Sequence, residues 1–173
     1  MKRFFLSSLL LLSSHIIFAQ KKFPVWLGAR VNHAVGEFTT THSFGLGIEA
    51  GSARRWFEFK KGKKIGFSWK GGFDYFLGKK VITSSFSNKY PGYSIIHAFG
   101  GLQFNPIKKT SFHLLAGPGL GFYSGTTRFI LGSELDATYL IKEKIGAGPL
   151  ISVLKESGAD PILALGVKAI IKI

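Results

Sequence analysis

At 173 residues the chain has room for one domain with a sizeable core. Its 22 glycines, 17 phenylalanines, 46% hydrophobic content and net charge of +14 on 18% charged residues exclude a disordered basic tail, which would be poor in aromatics. The absence of cysteine excludes a disulfide framework, thiolate metal sites and cysteine nucleophiles.

Lys2 and Arg3 precede an apolar stretch from Phe4 to Phe18, which closes on Ile17-Phe18-Ala19 before the polar Gln20-Lys21-Lys22. A basic start, an apolar middle and a small residue are the parts of a secretory signal peptide. Residues 1–19 are therefore read as the signal and 20–173 as the mature domain. The apolar run is broken by serines and His15 and falls short of the ~20 residues a spanning helix needs. No later segment reaches ~18 consecutive apolar residues, so no helix spans a membrane in the mature chain.

The mature chain alternates with a period of two, the signature of strands. Strand one, Val25 to His33, sets Val25, Leu27, Ala29 and Val31 against Trp26, Gly28, Arg30 and Asn32. A polar stretch from Gly36 to His42 leads to strand two, where Phe44, Leu46, Ile48 and Ala50 oppose Gly45, Gly47, Glu49 and Gly51. Below that point Phe57 and Phe59 leave the row of Phe44, which predicts a bulge near Gly51-Ser52. A tight turn centred on Gly62 follows. Strand three, Ile65 to Phe76, sets Ile65, Phe67, Trp69, Gly71, Phe73 and Tyr75 against Gly66, Ser68, Lys70, Gly72 and Asp74. Residues 78–92 read as the longest loop. Strand four, Tyr93 to Phe104, carries Ile96, Ala98, Gly100, Leu102 and Phe104 on its apolar row.

Strand five, residues 112–123, pairs a heavy row (Phe112, Leu114, Ala116, Pro118, Leu120, Phe122) with one dominated by Gly117, Gly119 and Gly121. Strand six sets Phe129, Leu131, Ser133, Leu135, Ala137 and Tyr139 against Gly132, Glu134, Asp136 and Thr138. Strand seven places Ile145, Ala147, Pro149, Ile151 and Val153 outside Gly146, Gly148 and Ser152. The last strand places Leu163, Leu165, Val167, Ala169, Ile171 and Ile173 outside Ala164, Gly166 and Lys168. Joins after strands two, four and six are short and lysine-rich, and those after one and three are long and polar. An even strand number with short joins at one end and long ones at the other is the pattern of an up-and-down membrane barrel.

The apolar rows, with the lower half of strand two set aside, hold no Asp, Glu, Lys or Arg. A cation at the bilayer midplane costs about 2–4 kcal/mol, so these rows are the expected lipid face. The opposite rows hold Arg30, Glu49, Lys70, Asp74, Glu134, Asp136 and Lys168, near balance in a strongly basic chain. Buried charges persist when paired, so these seven residues are read as a lumenal ion-pair network, with glycines making room for the long side chains. The fold class is all-β: an eight-stranded antiparallel up-and-down transmembrane β-barrel, with an interior just wide enough for side chains to plug it. A soluble lipocalin-type barrel would reverse the rows and crowd Phe, Trp, Leu and Ile into that interior.

The signal ending Ile17-Phe18-Ala19-Gln20, the stave Ala116-Gly117-Pro118-Gly119-Leu120-Gly121 and the run Gly100-Gly101-Leu102-Gln103-Phe104 give the chain a resemblance. It resembles the small eight-stranded outer-membrane barrels of the outer membrane protein beta-barrel domain family. The resemblance covers the mature chain and implies residence in a Gram-negative outer membrane, contact with outer-membrane lipids and insertion by the barrel-assembly machinery. It implies no assigned chemistry for most members. Two departures stand out. Such barrels usually end on an aromatic residue, whereas this chain ends Ile171-Lys172-Ile173. Pro118 and Pro149 each remove a ladder donor inside a strand, which predicts local bulges there.

Three functional readings follow. The first is a structural or surface-interaction barrel whose loops 34–42 and 78–92 meet an external ligand that the sequence does not identify, with Lys79, Lys80 and Lys89 positioned for lipid phosphates. The second is a lipid-modifying enzyme with His33, His42 and Ser43, and Glu37 between them, at the outer rim. The third is a narrow pore. His97 and His113 fall on inner rows of adjacent strands and are read as lumenal hydrogen-bonding groups, without a metal set. Gly117-x-Gly119-x-Gly121 is a strand face, with no helix or Lys-Ser/Thr after it, so it is not a nucleotide loop. No cofactor and no nucleic-acid partner is expected.

Overall fold

The computed structural model describes residues 24–60, 63–83 and 86–173. The segment read as a signal peptide therefore lies outside the described residues, as do Lys61-Gly62 of the predicted tight turn and Ser84-Ser85 of the long loop. The strands are β1 (Val25–Val35), β2 (His42–Lys60), β3 (Lys63–Gly78), β4 (Lys80–Thr83), β5 (Phe86–Lys89), β6 (Tyr93–Ile107), β7 (Thr110–Tyr123), β8 (Thr126–Leu140), β9 (Ile145–Glu156) and β10 (Ile162–Lys172). Eight of them close into an antiparallel barrel in the order β1-β10-β9-β8-β7-β6-β3-β2. β1 seals it, pairing with β2 through Val25↔Ser52 to His33↔Phe44 and with β10 through Trp26↔Lys172 to Val35↔Leu163. Closure leaves the barrel no edge strand, so backbone donors and acceptors along the wall pair within it except where a proline supplies no N–H.

The two ends differ. At one, β6–β7 and β8–β9 turn back tightly, and β2 pairs with β3 as far as Lys60↔Lys63, beside both ends of the barrel's chain. At the other, Gly36–Thr40 forms a short 3₁₀ turn, and the segment between β3 and β6, expected as a plain loop, folds as the hairpin β4–β5. The β7–β8 join at this end is only Ser124-Gly125. Both residues have positive φ (48° and 78°), as a two-residue hairpin turn requires, so long joins are not the rule here.

The outer row is apolar and, away from the two mouths, the inner row is shielded from solvent. Along β7, Leu114 is 58% exposed while neighbouring Leu115 is 1% exposed. On β7 and β8 the outer rows grade from aromatic at the strand ends to aliphatic between, whereas those of β1, β9 and β10 carry no Phe, Trp or Tyr. β7 carries Phe112 and Phe122 around Leu114, Ala116 and Leu120, and β8 carries Phe129 and Tyr139 around Leu131 and Leu135.

Three expected irregularities are corrected. β2 pairs with β3 in unbroken register from Gly45↔Phe76 to Arg55↔Gly66, so there is no bulge at Gly51-Ser52; the shifts lie at the two ends of β2, between His42 and Gly45, between Arg55 and Phe57 and between Glu58 and Lys60. Pro118 and Pro149 produce no bulge either. Pro118 pairs with Leu131 and Pro149 with Val167, both in register. On the other side of each proline the ladder skips two pairs and resumes unshifted: His97↔Gly119 to Gly100↔Ala116, and Asp136↔Leu150 to Tyr139↔Ala147. The missing N–H thus opens the ladder without adding a residue. The carbonyl that lost its donor (Ala98 beside Pro118, Ala137 beside Pro149) stands where a Cβ would project from the preceding Gly117 or Gly148. Glycine before each proline is what lets the strands stay together there.

Inside, the lumen has tiers. The half toward the long loops is filled by Ala34, Phe76, Tyr93, Ile95, Phe99, Leu115, Ile130, Leu154, Ile162 and Ala164, with Phe38 and Tyr123 packed against them. Charged residues occupy the middle.

Candidate functional site

Arg30 is the hub of the charged tier. From β1 its guanidinium reaches three strands: Nε donates to Asp74 Oδ1 at 2.6 Å and Nη2 to Asp74 Oδ2, while Nη1 donates to Glu134 Oε2 at 2.7 Å and lies 3.4 Å from Glu49 Oε2. Lys70 bridges the same two glutamates, donating from Nζ to Glu49 Oε2 at 2.7 Å and to Glu134 Oε1. Lys168 Nζ lies 2.7 Å from Asp136 Oδ1 and 3.8 Å from Glu49 Oε1. Asn32 donates to Asp74 Oδ1 at 2.9 Å. The structure therefore joins all seven charged residues singled out above into one buried cluster. Charge-assisted bonds of this kind, bidentate between Arg30 and Asp74, offset the cost of removing the ions from water.

The two inner histidines do not face each other. His97 sits beside Arg30: its Nε2, 3.3 Å from Nη2, can only accept, since guanidinium only donates, which leaves the proton on Nδ1 toward Asp74 Oδ2 at 3.5 Å. His113 belongs to the other end of the cluster, with Nδ1 2.6 Å from Asp136 Oδ1. Among the described residues no group of three His, Cys, Asp or Glu is placed to hold a metal.

Space for this cluster comes from glycines on β1, β2 and β3 rather than from the β7 stave. A Cβ on Gly47 would collide with Asp74 Oδ1, and one on Gly72 would lie 2.7 Å from the His97 ring. On β7, Gly121 makes room for the Tyr93 hydroxyl instead. Of the stave only Gly121 serves the aromatic tier; Gly117 and Gly119 lie against the Ala98 and Ile96 carbonyls of the neighbouring strand.

At the long-loop mouth, His42 stacks on Phe38 with ring centroids 4.3 Å apart and meets Tyr93 and Tyr123 edge-on at 5.9 and 5.8 Å. Its ring nitrogens are occupied by Thr41 Oγ1 at 2.8 Å and the Pro91 carbonyl at 3.1 Å, so Nε2–H donates to Pro91 and Nδ1 accepts from Thr41. Ser43, one residue on, faces the other way and donates to the Leu77 carbonyl at 3.4 Å. His33 lies exposed on the outer row of β1. Glu37 stands in the exposed 3₁₀ turn. A hydrogen bond to Asp160 in the β9–β10 join, reinforced by the charge of Asp160, raises its carboxyl above the ordinary value. The rim residues considered for nucleophilic chemistry are thus spread over opposite faces.

The aromatic and aliphatic residues of the upper lumen were missed in the row analysis. Their signal is a local loss of alternation: Ile95-Ile96, Leu114-Leu115, Phe129-Ile130-Leu131 and Val153-Leu154 each put grease on both faces.

No protein-family model and no curated protein matches the chain. Several solved structures do. It is similar to Neisserial surface protein A at 12% identity, over 88% of this chain and 97% of that one, with a TM-score of 0.57. It is similar to the attachment invasion locus protein Ail of Yersinia pestis at 11% identity, over 87% and 96%, with a TM-score of 0.53. The outer membrane enzyme PagL matches at 14% identity over 86% and 99%, also with a TM-score of 0.53. Since both surface proteins and an enzyme share this architecture, the likeness speaks to fold and not to chemistry. The chain has the closed eight-stranded fold of the small outer-membrane β-barrels.

Proposed function

We propose that the chain resides in the outer membrane of a Gram-negative cell as a plugged barrel that holds its long-loop end out for surface interaction. The observation that carries this reading is the outer wall. Phe112 and Phe122 on β7, and Phe129 and Tyr139 on β8, are each ten residues apart. At ~3.4 Å per residue and a tilt of 35–45°, ten residues rise about 24–28 Å, which matches the ~25 Å apolar band between aromatic girdles of such barrels. Lipids of the outer membrane would face this band, and the barrel-assembly machinery would insert the chain. Two filled tiers, aromatic above and ionic below, favour a plugged lumen over a pore. The β4–β5 hairpin sets Lys80 opposite Lys89. Like charges held side by side favour an anionic partner. Ail has been solved in complex with the heparin analogue sucrose octasulfate, a polyanion of that kind.

The test uses Leu135, 51% exposed on β8 and near the midpoint between Phe129 and Tyr139. On a soluble surface Leu135→Arg changes stability by no more than ~0.5 kcal/mol. Near the midplane of a bilayer it costs about 2–4 kcal/mol. Urea unfolding from phosphatidylcholine vesicles, alongside heat-modifiable gel migration and membrane fractionation, reads the difference. A chain that fractionates as a soluble periplasmic protein and tolerates Leu135→Arg would overturn the reading, and a steady single-channel conductance would overturn the plug.

A further inference from the structure

We propose that the short-loop mouth of the barrel binds a single phosphate group. A recess of about 60 Å³ opens there. By the space one water needs, it holds on the order of four waters, enough for one phosphate and too little for a sugar ring. Four lysines line it, Lys108, Lys109, Lys168 and Lys172, and no carboxylate does. Lys108 and Lys109 stand exposed at the rim. Lys168 closes the floor, its ammonium 5.2 Å from the Trp26 ring and bonded to Asp136 beneath.

A second observation points inward. Thr138 and Gln103 line the same recess at 1% and 7% exposure, and Thr138 Oγ1 and Gln103 Oε1 have no hydrogen-bond partner in the protein. Leaving buried polar atoms unpaired costs about 1–3 kcal/mol each. Unpaired atoms in the wall of a cationic recess are what a bound oxyanion would satisfy: the threonine hydroxyl donates to an unprotonated oxygen, and the glutamine carbonyl accepts from a protonated one. Charge selects among anions. Lysines act as point charges, and a cluster of them attracts a phosphate, which carries up to two negative charges near neutral pH, more strongly than a singly charged carboxylate. The phosphate can belong to a phospholipid headgroup at that membrane face or be free in solution.

The site rests on the recess and not on the membrane location, so its test starts in detergent. The full chain, ¹⁵N-labelled and folded in phosphate-free detergent, is titrated with inorganic phosphate. Saturable shifts are expected at the Gln103 side-chain amide and the backbone amides of Ser111, His113 and Thr138. Thr138→Val, which keeps the shape and removes the unpaired hydroxyl, is expected to leave the spectrum dispersed and stability equal or higher while weakening binding at least about tenfold. The double variant Lys108→Gln with Lys109→Gln is expected to do the same without touching the lumen. Absence of saturable shifts in the parent, unchanged affinity in both variants, or equal binding of acetate would overturn the proposal. In phosphatidylcholine nanodiscs, the same residues shifted without added phosphate and unresponsive to it identify a lipid headgroup as the source. Continued titration by free phosphate identifies the soluble ion.

Discussion

Lys70→Met tests whether the lumenal cluster acts as one electrostatic unit. Lys70 is 1% exposed on β3, and its ammonium is held by Glu49 and Glu134, both of which also lie near the Arg30 guanidinium. Methionine keeps most of the volume and removes the charge. Four carboxylates, Glu49, Asp74, Glu134 and Asp136, are then left with two cations, Arg30 and Lys168. Breaking a buried pair from one side costs about 3–5 kcal/mol, mostly because the partner charge stays buried. Adding Glu134→Gln removes that stranded charge while preserving shape, and Arg30 keeps both of its bonds to Asp74. The double variant is therefore expected to be about 2 kcal/mol more stable than Lys70→Met alone, so the coupling energy of the cycle equals that recovery plus the separate cost of Glu134→Gln. Reversible urea unfolding from phosphatidylcholine vesicles, followed by tryptophan fluorescence, measures all four corners of the cycle. If Lys70→Met stays within ~1 kcal/mol of the parent, or Glu134→Gln adds its full separate cost on top, the charges are not coupled and the account of the lumen fails.

Arg128→Met supplies the contrast: the Arg128–Glu156 pair, 3.2 Å long, has its arginine side chain half exposed although Glu156 is buried, so water reaches the pair and the loss is expected to be clearly smaller than for Lys70→Met in the same assay. Gly148→Ala puts a methyl group into the Ala137 carbonyl, which is backbone and cannot swing aside. A loss of about 1–3 kcal/mol is expected, against a smaller change for Gly158→Ala, whose Cβ meets no neighbour and faces only the strain of φ 74°. The Glu37–Asp160 contact carries a pH dependence. A carboxyl raised above its unfolded value keeps its proton, and with it the contact, at low pH and loses both as pH rises through the raised value. An NMR titration of the Glu37 side chain is expected to show a midpoint above that of a free glutamate, and Glu37→Gln is expected to hold the loops together without pH dependence; an unshifted midpoint would remove the contact.

The wall of the barrel was legible because a period of two needs no partner to be read. Leu27, Leu46, Phe73, Leu114 and Leu135 declare the outer face from their own strands. The wiring of the interior was not. Arg30 on β1 and Glu134 on β8 stand 104 residues apart on strands that do not pair, and meet because their side chains converge across the lumen. Residue type placed them inside; only strand tilt and stagger decide which of them touch. The bulge in β2 was misplaced for a related reason. Its phase was judged from Phe57 and Phe59, which follow the break between Arg55 and Phe57 and carry no information on where the break occurs. Pro118 and Pro149 mislead in the opposite direction. The lost donor is real, but the preceding Gly117 and Gly148 let the neighbouring carbonyl lean in and the register survive.

The placement of the charges also bears on how register is chosen. Slipping a strand by one residue exchanges its faces. Where a strand carries grease on both rows, as β8 does at Phe129-Ile130-Leu131, that error costs little, and the adjoining turn Ser124-Gly125, with both φ positive, fixes the pairing there. Nearer the middle of the wall no turn is close. There Arg30, Glu49, Lys70, Asp74, His97, His113, Glu134, Asp136 and Lys168 give seven of the eight barrel strands a group that a slip would drive into the apolar band, at about 2–4 kcal/mol for each cation. β9 alone lacks one over its central residues. Its Gly148 lies against the Ala137 carbonyl, where only glycine fits, so moving either neighbour of Gly148 into that position brings in Ala147 or Pro149 and a collision with backbone. Ionic pairing and one tight glycine contact thus penalise the same error by different means, and the network that crosses the lumen is also what makes the wrong barrel expensive.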